Sequence, residues 1–550
     1  MKITAIRPLL LVPFLLFIAH CTTAPVLKQL PVAQPSHRPK RMMVLVFDQL
    51  RPDLIDRFDM KNFKRLRSEG ISYPNAMVGH LSSVTVVSHP VITTGLFPKH
   101  LPWQDEFFLD TRGELGKPNQ FYSSLDLEPV QYQKLLEPTK AVSLLSRFSS
   151  LEKNSSENHS YTLGQKQYAV MGLAAPLTGS VITLGGKLKN PLGWRPPFGI
   201  RVPSFFTEPF LGRFYLDCNP SYGSDTSLYP LDGNRFAPGQ DPLHAGGDQW
   251  VSDGILHIFR NDPEWKSVFA TFGSIDKILH ILAEHQNETR EGWAIENHLT
   301  LKETLKRADL ALGDILNFLE EKKWLEETVI LVTADHGGQA NESFHGLTQP
   351  GLGTNYLFYA NAKNRKNIEL PKSLAPILKN NWVEAISHDS GLRIWTKNLT
   401  HIQLSKLATE VSALPGVAEV YTLHKTENRY HYVRTFRSPS LKGKELQWAN
   451  ENNADLVETM ATQGAAQIVA LLFDKHGYGF LGDHGGAQEW VQRIPLIVHS
   501  PNIAPQFHGT ELPNKARLVD VNPILSKIMG LSSPTELDGN SQGIDVMLSE

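Results

Sequence analysis

From residue 42 onward, short apolar runs alternate with amphipathic stretches. Met42 to Phe47 (MMVLVF), Val268 to Phe272 (VFATF), Val329 to Thr333 (VILVT) and Ile494 to Val498 (IPLIV) are nearly continuous apolar segments of strand length. A strand without polar alternation is buried on both faces, as in a parallel sheet covered by helices. Between the runs, Leu299 to Glu320 repeats apolar positions at three and four residues, the period of a helix with one buried face. This alternation predicts an α/β fold with a doubly wound, mostly parallel sheet. Ligands then bind outside the carboxyl ends of the strands.

Two stretches break the pattern. Residues 146–245 are rich in Gly, Pro and aromatics (NPLGWRPPFGIRVPSFF) and read as a loop-rich inserted cap. Residues 353–475 contain GLRIWTKN, a helical LSKLATEVSAL and GVAEVYTLH, which read as a small inserted α+β subdomain. The core is thereby divided into 42–145, 246–352 and 476–550.

The first residues follow another logic. Lys2 and Arg7 precede an apolar run from Leu9 to Ala19, shorter than the roughly 20 residues of a membrane span but suited to a signal-peptide core. Ile18-Ala19-His20-Cys21 resembles a bacterial lipobox, with His20 departing from its usual small residue. The expectation is an exported chain: residues 1–21 are the leader, Cys21 carries a lipid that holds the protein at a bacterial membrane or cell surface, and 22–41 form a tether. Secretion without the lipid is the alternative.

Composition removes other classes. Lys plus Arg is 54 and Asp plus Glu is 56, so a net charge of −2 gives no basic field for nucleic acid. Two cysteines, Cys21 and Cys218, exclude a disulfide framework. The 21 histidines matter through position.

Metal-type ligands gather near the strand ends. Asp48 directly follows the first run. Asp276 and His280 are four apart and share one face if the segment is helical. Asp335-His336 follow VILVT, and His484 lies in GDHGG before IPLIV. Each fragment alone has a plain structural reading: a helix cap, a solvated helix face, a polar turn. Together, three carboxylates and three imidazoles collected in one crevice form a donor set for zinc and related divalent ions. Hydrolysis also needs a nucleophile. A hydroxyl at a helix N-terminus beside a cation would serve, since the free N–H groups there receive a phosphoryl oxygen. The segment HLSSVTVVSHPVITTGLFP offers Ser82, Ser83, Thr85, Ser88, Thr93 and Thr94, and its local pattern does not choose among them.

The order Asp48, TVVSH with TGLFP, Asp276 with His280, Asp335-His336 and His484 resembles the alkaline phosphatase superfamily, specifically its nucleotide pyrophosphatase/phosphodiesterase branch. The resemblance implies an alkaline phosphatase-type sheet and selects Thr85 as the nucleophile. It implies one zinc on Asp276, His280 and His484, and a second on Asp48, Thr85, Asp335 and His336; other divalent metals fit the same ligands. Two ions roughly 4 Å apart would assist both the attacking and leaving oxygens of an in-line displacement. A phosphothreonine intermediate and hydrolysis of a small phosphoester or nucleotide follow. A phosphomonoesterase on the same metals is the alternative within the class, and a noncatalytic surface lipoprotein the alternative outside it.

Three positions depart from the family pattern. Leu279 stands where Gly usually precedes the histidine of D-x-x-G-H, and Ser88 where Asn often precedes the histidine of the threonine motif. Asp105 stands where the family places a phosphate-contacting Asn. A carboxylate there repels an anionic phosphoryl group unless protonated, paired or turned away, so a singly charged diester is expected to be tolerated better than a monoester. Cys218-Asn219-Pro220-Ser221-Tyr222 nearly matches the sulfatase C-x-P-S-R sequence, but Tyr222 replaces the Arg and the segment lies in the cap.

Overall fold

The computed structural model describes residues 38–124, 127, 129–139, 141–149, 159–164, 180–183, 205, 248–282, 301–344, 372–427, 429–479, 482–532 and 536–549. The leader, Cys21, the tether as far as residue 37, most of the 146–245 segment with Cys218, and 353–371 lie outside the described residues.

Among the described residues, eight strands form the central sheet: β1 (Arg41–Phe47), β2 (Ile71–Ser72), β3 (Ser160–Gly164), β4 (Ser180–Thr183), β5 (Ser267–Phe272), β6 (Thr328–Thr333), β7 (Leu496–His499) and β8 (Thr510–Glu511). Their order is β8-β2-β7-β6-β1-β5-β3-β4. The run β6-β1-β5-β3-β4 is parallel throughout. Every residue of β1, β5 and β6 is buried, which is why these strands read as apolar runs. The IPLIV run supplies β7, which lies antiparallel to both β6 and β2.

Two groups of helices cover the sheet. Lys61–Glu69, Asp248–Asn261 and Leu301–Glu321 pack together, and Thr85–Thr94, Leu144–Ser149 and Val521–Met529 form the other group. Helix Leu301–Glu321 points its periodic face (Leu301, Leu305, Ala308, Leu312, Ile315, Leu316, Leu319) into the core, as its spacing predicts.

A second sheet lies within 383–472. Strands Val383–His388, Gly391–Thr396, Ile468–Leu472, Val417–Lys425 and Tyr430–Arg437 are antiparallel neighbours in that order. Ile386, Ile394, Val420 and Ala470 build a core with Leu407 and Val411 of helix His401–Ser412. Ala385, Trp395, Tyr421 and Val469 join an apolar cluster that includes Met77, Leu81 and Phe107. The subdomain is thus packed against the segment that carries the candidate nucleophile.

Strand register brings the candidate ligands to one edge. Phe47 lies opposite Phe272 and Val46 opposite Thr333. Asp48 and Asp335, one and two residues further on, therefore leave the sheet at the same level. Phe47 stacks on Phe272 at 4.4 Å and meets Phe63 edge-on at 4.7 Å, closing the core beneath Asp48. Phe47→Ala should cost about 3–5 kcal/mol of folding stability through the cavity left among these rings. Urea unfolding checks this, and a loss under about 1 kcal/mol would show that the rings are not packed as described.

Candidate active site

Thr85 is the first residue of helix α1 (Thr85–Thr94), all of whose residues are buried. The helix ends at Gly95, whose φ of +71° is a left-handed conformation that glycine adopts without strain. At the other end the N–H groups of Thr85 and Val86 come before the first intrahelical bonds, those of Val87 and Ser88 to Val84 O. His89, one turn on, donates from Nδ1 to Thr85 O and accepts at Nε2 from the Thr271 hydroxyl, each at 2.8 Å. Its Nδ1 is also 3.8 Å from Asp335 Oδ2. The ring therefore ties the first turn of the helix, with Thr85, to β5 and to the end of β6.

Asp276 and His280 lie on helix α2 (Ser274–Leu282), which begins two residues after β5. It is regular through Leu279, which is buried in the core, so the absent glycine leaves both ligands on one face. Asp276 Oδ1 is 3.0 Å from His280 Nε2 and 3.5 Å from His484 Nε2, and the two nitrogens are 3.1 Å apart. A second group lies alongside: His336 Nε2 is 3.4 Å from Asp48 Oδ1, 3.6 Å from Asp335 Oδ2 and 3.5 Å from Thr85 Oγ1. The two groups touch through the stacked rings of His336 and His484, 3.8 Å between centroids. All seven side chains predicted from the sequence are buried and converge at one place.

The donor chemistry fits metal ions. His336 donates from Nδ1 to Gly337 O, and His484 from Nδ1 to Ser83 O, so each turns a lone pair at Nε2 into the cluster. Burial and the neighbouring His336 hold the His484 pKa well below the ordinary imidazole value, keeping it neutral. Each trio, Asp276–His280–His484 and Asp48–Asp335–His336, places its ligand atoms within 4.8 Å of one another. Acceptors facing acceptors repel unless a cation lies among them. Two divalent ions would bring four positive charges against three carboxylates, leaving the site attractive to a phosphoryl anion.

Several features were not legible in the sequence. Asp105 is paired: its Oδ1 accepts from the Ser82 hydroxyl at 2.6 Å, and its Oδ2 lies 3.4 Å from Nε of Arg393, a fully buried arginine on subdomain strand Gly391–Thr396. The carboxylate that the sequence presents as bare is thus paired, with Arg393 shared between it and Asp389. Ser88 faces the buried His80, at 3.3 Å. His100 pairs with Asp538 at 2.7 Å, away from the ligand trios. Gln49, next to Asp48, sits at φ +63°, a strained conformation for a residue with a side chain. Long-range pairings of this kind leave no local period, and only the Arg393 charge inside an apolar run hinted at one.

Two further buried histidines, His80 and His388, are pushed by burial from 6.5 down to about 3 and about 4. Unfolded, they take up protons below about pH 6.5, whereas folded they do not until the pH nears 3–4. Stability is therefore lost as pH falls through that window, by roughly 1 kcal/mol per pH unit per group. Urea midpoints of the chelator-treated protein should drop from pH 7 to pH 5, and His388→Gln should flatten the slope. An unchanged slope would mean that His388 is protonated in the fold.

A family model of the type I phosphodiesterase / nucleotide pyrophosphatase matches residues 42–443. Shorter stretches are similar to two curated proteins. The 2,3-bisphosphoglycerate-independent phosphoglycerate mutase of Clostridium kluyveri is 31% identical over 83 residues, 14% of this chain and 16% of the mutase. A calcium-transporting ATPase of Myroides odoratus is 37% identical over 65 residues, 11% of this chain and 12% of that protein. The chain thus spans only a small part of these relatives' length. Among solved structures, wild-type alkaline phosphatase PafA aligns with a TM-score of 0.61 at 15% identity, over 94% of this chain and 100% of that one. Murine ectonucleotide pyrophosphatase/phosphodiesterase 5 aligns with 0.52 at 13% identity, over 92% and 100%. An inactive variant of the murine protein is recorded in complex with AMP. At these identities the structures share the fold.

Proposed function

Because the chain belongs to the type I phosphodiesterase/nucleotide pyrophosphatase family of the alkaline phosphatase superfamily, we propose that it is a zinc-dependent phosphoric ester hydrolase of phosphodiesterase type, acting on small phosphoesters or nucleotides through Thr85. The observation that carries this reading is the position of Thr85 Oγ1, at the start of a buried helix and 3.5 Å from His336 Nε2, inside the second ligand trio.

Asp48, Asp335 and His336 would hold the ion beside Thr85, and Asp276, His280 and His484 the other. Bound zinc would lower the pKa of the attacking hydroxyl and offset charge on the phosphoryl group. Thr85 Oγ attacks phosphorus as the bond to the leaving oxygen breaks, and a proton equivalent to the one lost from the threonine hydroxyl ends on that oxygen, giving a phosphothreonine and the free alcohol (or phosphate) leaving group. Water then attacks the same phosphorus, which frees Thr85 and releases the phosphate product. The N–H groups at the start of α1 form the helix's positive end, where a phosphoryl oxygen is favoured. His89 keeps that turn in place against β5.

A second reading, phosphomonoester hydrolysis, is favoured by one observation: Asp105 is compensated by Arg393, so a doubly charged monoester meets no bare carboxylate there. We also place the enzyme outside the cytoplasm, on the strength of the apolar run Leu9–Ala19 and the lipobox-like IAHC ending at Cys21.

Purified protein should contain two zinc ions per chain by elemental analysis, and a metal-free, active preparation would sink the mechanism. Thr85→Ala should lower kcat by about a thousandfold or more while both ions stay bound. Retained turnover would mean another hydroxyl attacks. Rates on bis-nitrophenyl phosphate and nitrophenyl phosphate, measured side by side, decide between the diester and monoester readings.

A further inference from the structure

Arg393 is 1% exposed and comes from the subdomain, yet it reaches three other segments. Its Nη1 binds Asp389 Oδ1 of the adjoining turn, its Nε lies 3.4 Å from Asp105 Oδ2, and its Nη2 donates to Gly485 O. Gly485 directly follows the ligand His484. Around that contact the loop is held from both sides: Gly485 N and His484 Nδ1 both reach Ser83 O at 3.2 Å, and Ser390 N donates to His484 O at 3.0 Å. The approach is close enough that a Cβ on Gly485, whose φ is +85°, would lie 2.0 Å from Asp389 Oδ2. Asp105 in turn accepts from Ser82, three residues before Thr85.

We propose that Arg393 is a positioning residue that clamps the His484 loop against the nucleophile segment, so that the inserted subdomain sets the geometry of the Asp276–His280–His484 site. The guanidinium fork suits this task, because it can serve a carbonyl and two carboxylates at fixed angles, which a lysine ammonium cannot. Its charge is also what allows Asp105 and Asp389 to be buried together. The consequence for zinc rests on the two-metal reading of the site; the clamp itself does not.

Two variants test it: Arg393→Lys, which keeps the charge but loses the fork, and the triple Asp105→Asn/Asp389→Asn/Arg393→Gln, which leaves no buried charge orphaned. Hydrogen exchange reads the clamp with or without metal. Protection of amides in 482–487 should fall about tenfold in both variants, with β1, β5 and β6 unchanged. Transfer of zinc from the loaded protein to a colorimetric chelator reads the consequence: one ion per chain should leave about tenfold faster and the other at the wild-type rate, the scale expected when a ligand's supporting contact is lost. Unchanged exchange in 482–487, or lost protection across the whole sheet in both variants, would overturn the clamp. Faster exchange with zinc release unaltered would overturn the positioning role. Faster exchange in a protein that binds no zinc even as wild type would leave the clamp standing and overturn the two-metal reading instead.

Discussion

Everything at the site depends on β1 lying in register between β5 and β6. Phe47 lies opposite Phe272 and Val46 opposite Thr333, so the three parallel strands end within one residue of one another. The residues that follow, Asp48, Asp276 on α2 and Asp335, are delivered to the same edge. Their side chains then enter a space from which water is largely excluded, where an uncompensated carboxylate is costly. The apolar strands thus create both the crevice and the electrostatic requirement for cations within it.

The two ligand trios are not independent. His336 and His484 stack face to face, each with Nδ1 committed to a backbone carbonyl, so one packed pair of rings sets the spacing between the trios. Thr85 is fixed by different means, through a wholly buried helix and the bridge of His89 to Thr271. Its hydroxyl therefore projects from a fixed backbone position, the kind of placement that a defined line of attack requires. Net charge contributes little: at −2 overall, long-range steering is weak, and attraction for phosphate falls to the site itself.

The subdomain's part is structural as well as electrostatic. Ala385, Trp395 and Tyr421 share an apolar cluster with Met77 and Leu81, just ahead of Thr85. Arg393 adds a charged contact through the same interface, reaching Asp105 and the backbone beside His484. Asp105, which looked unfavourable to phosphate when considered as an isolated residue, is one half of that contact.

The sequence by itself determined the α/β class, the apolar strands, the helical pairing of Asp276 with His280 and the set of seven residues that converge. These follow from period and position, and a resemblance in motif order distinguished Thr85 from its neighbouring hydroxyls. The tertiary structure decided the direction of β7. Had the IPLIV strand run parallel to β6, the residues before it, His484 among them, would lie at the opposite edge of the sheet; because it runs antiparallel, it starts where β6 ends. The tertiary structure also decided the pairing of Asp105 with Arg393 and the bridge made by His89. Local periodicity reports which face of an element is buried, whereas strand direction and the partner of a buried charge depend on segments far apart in the chain, and only packing brings those together.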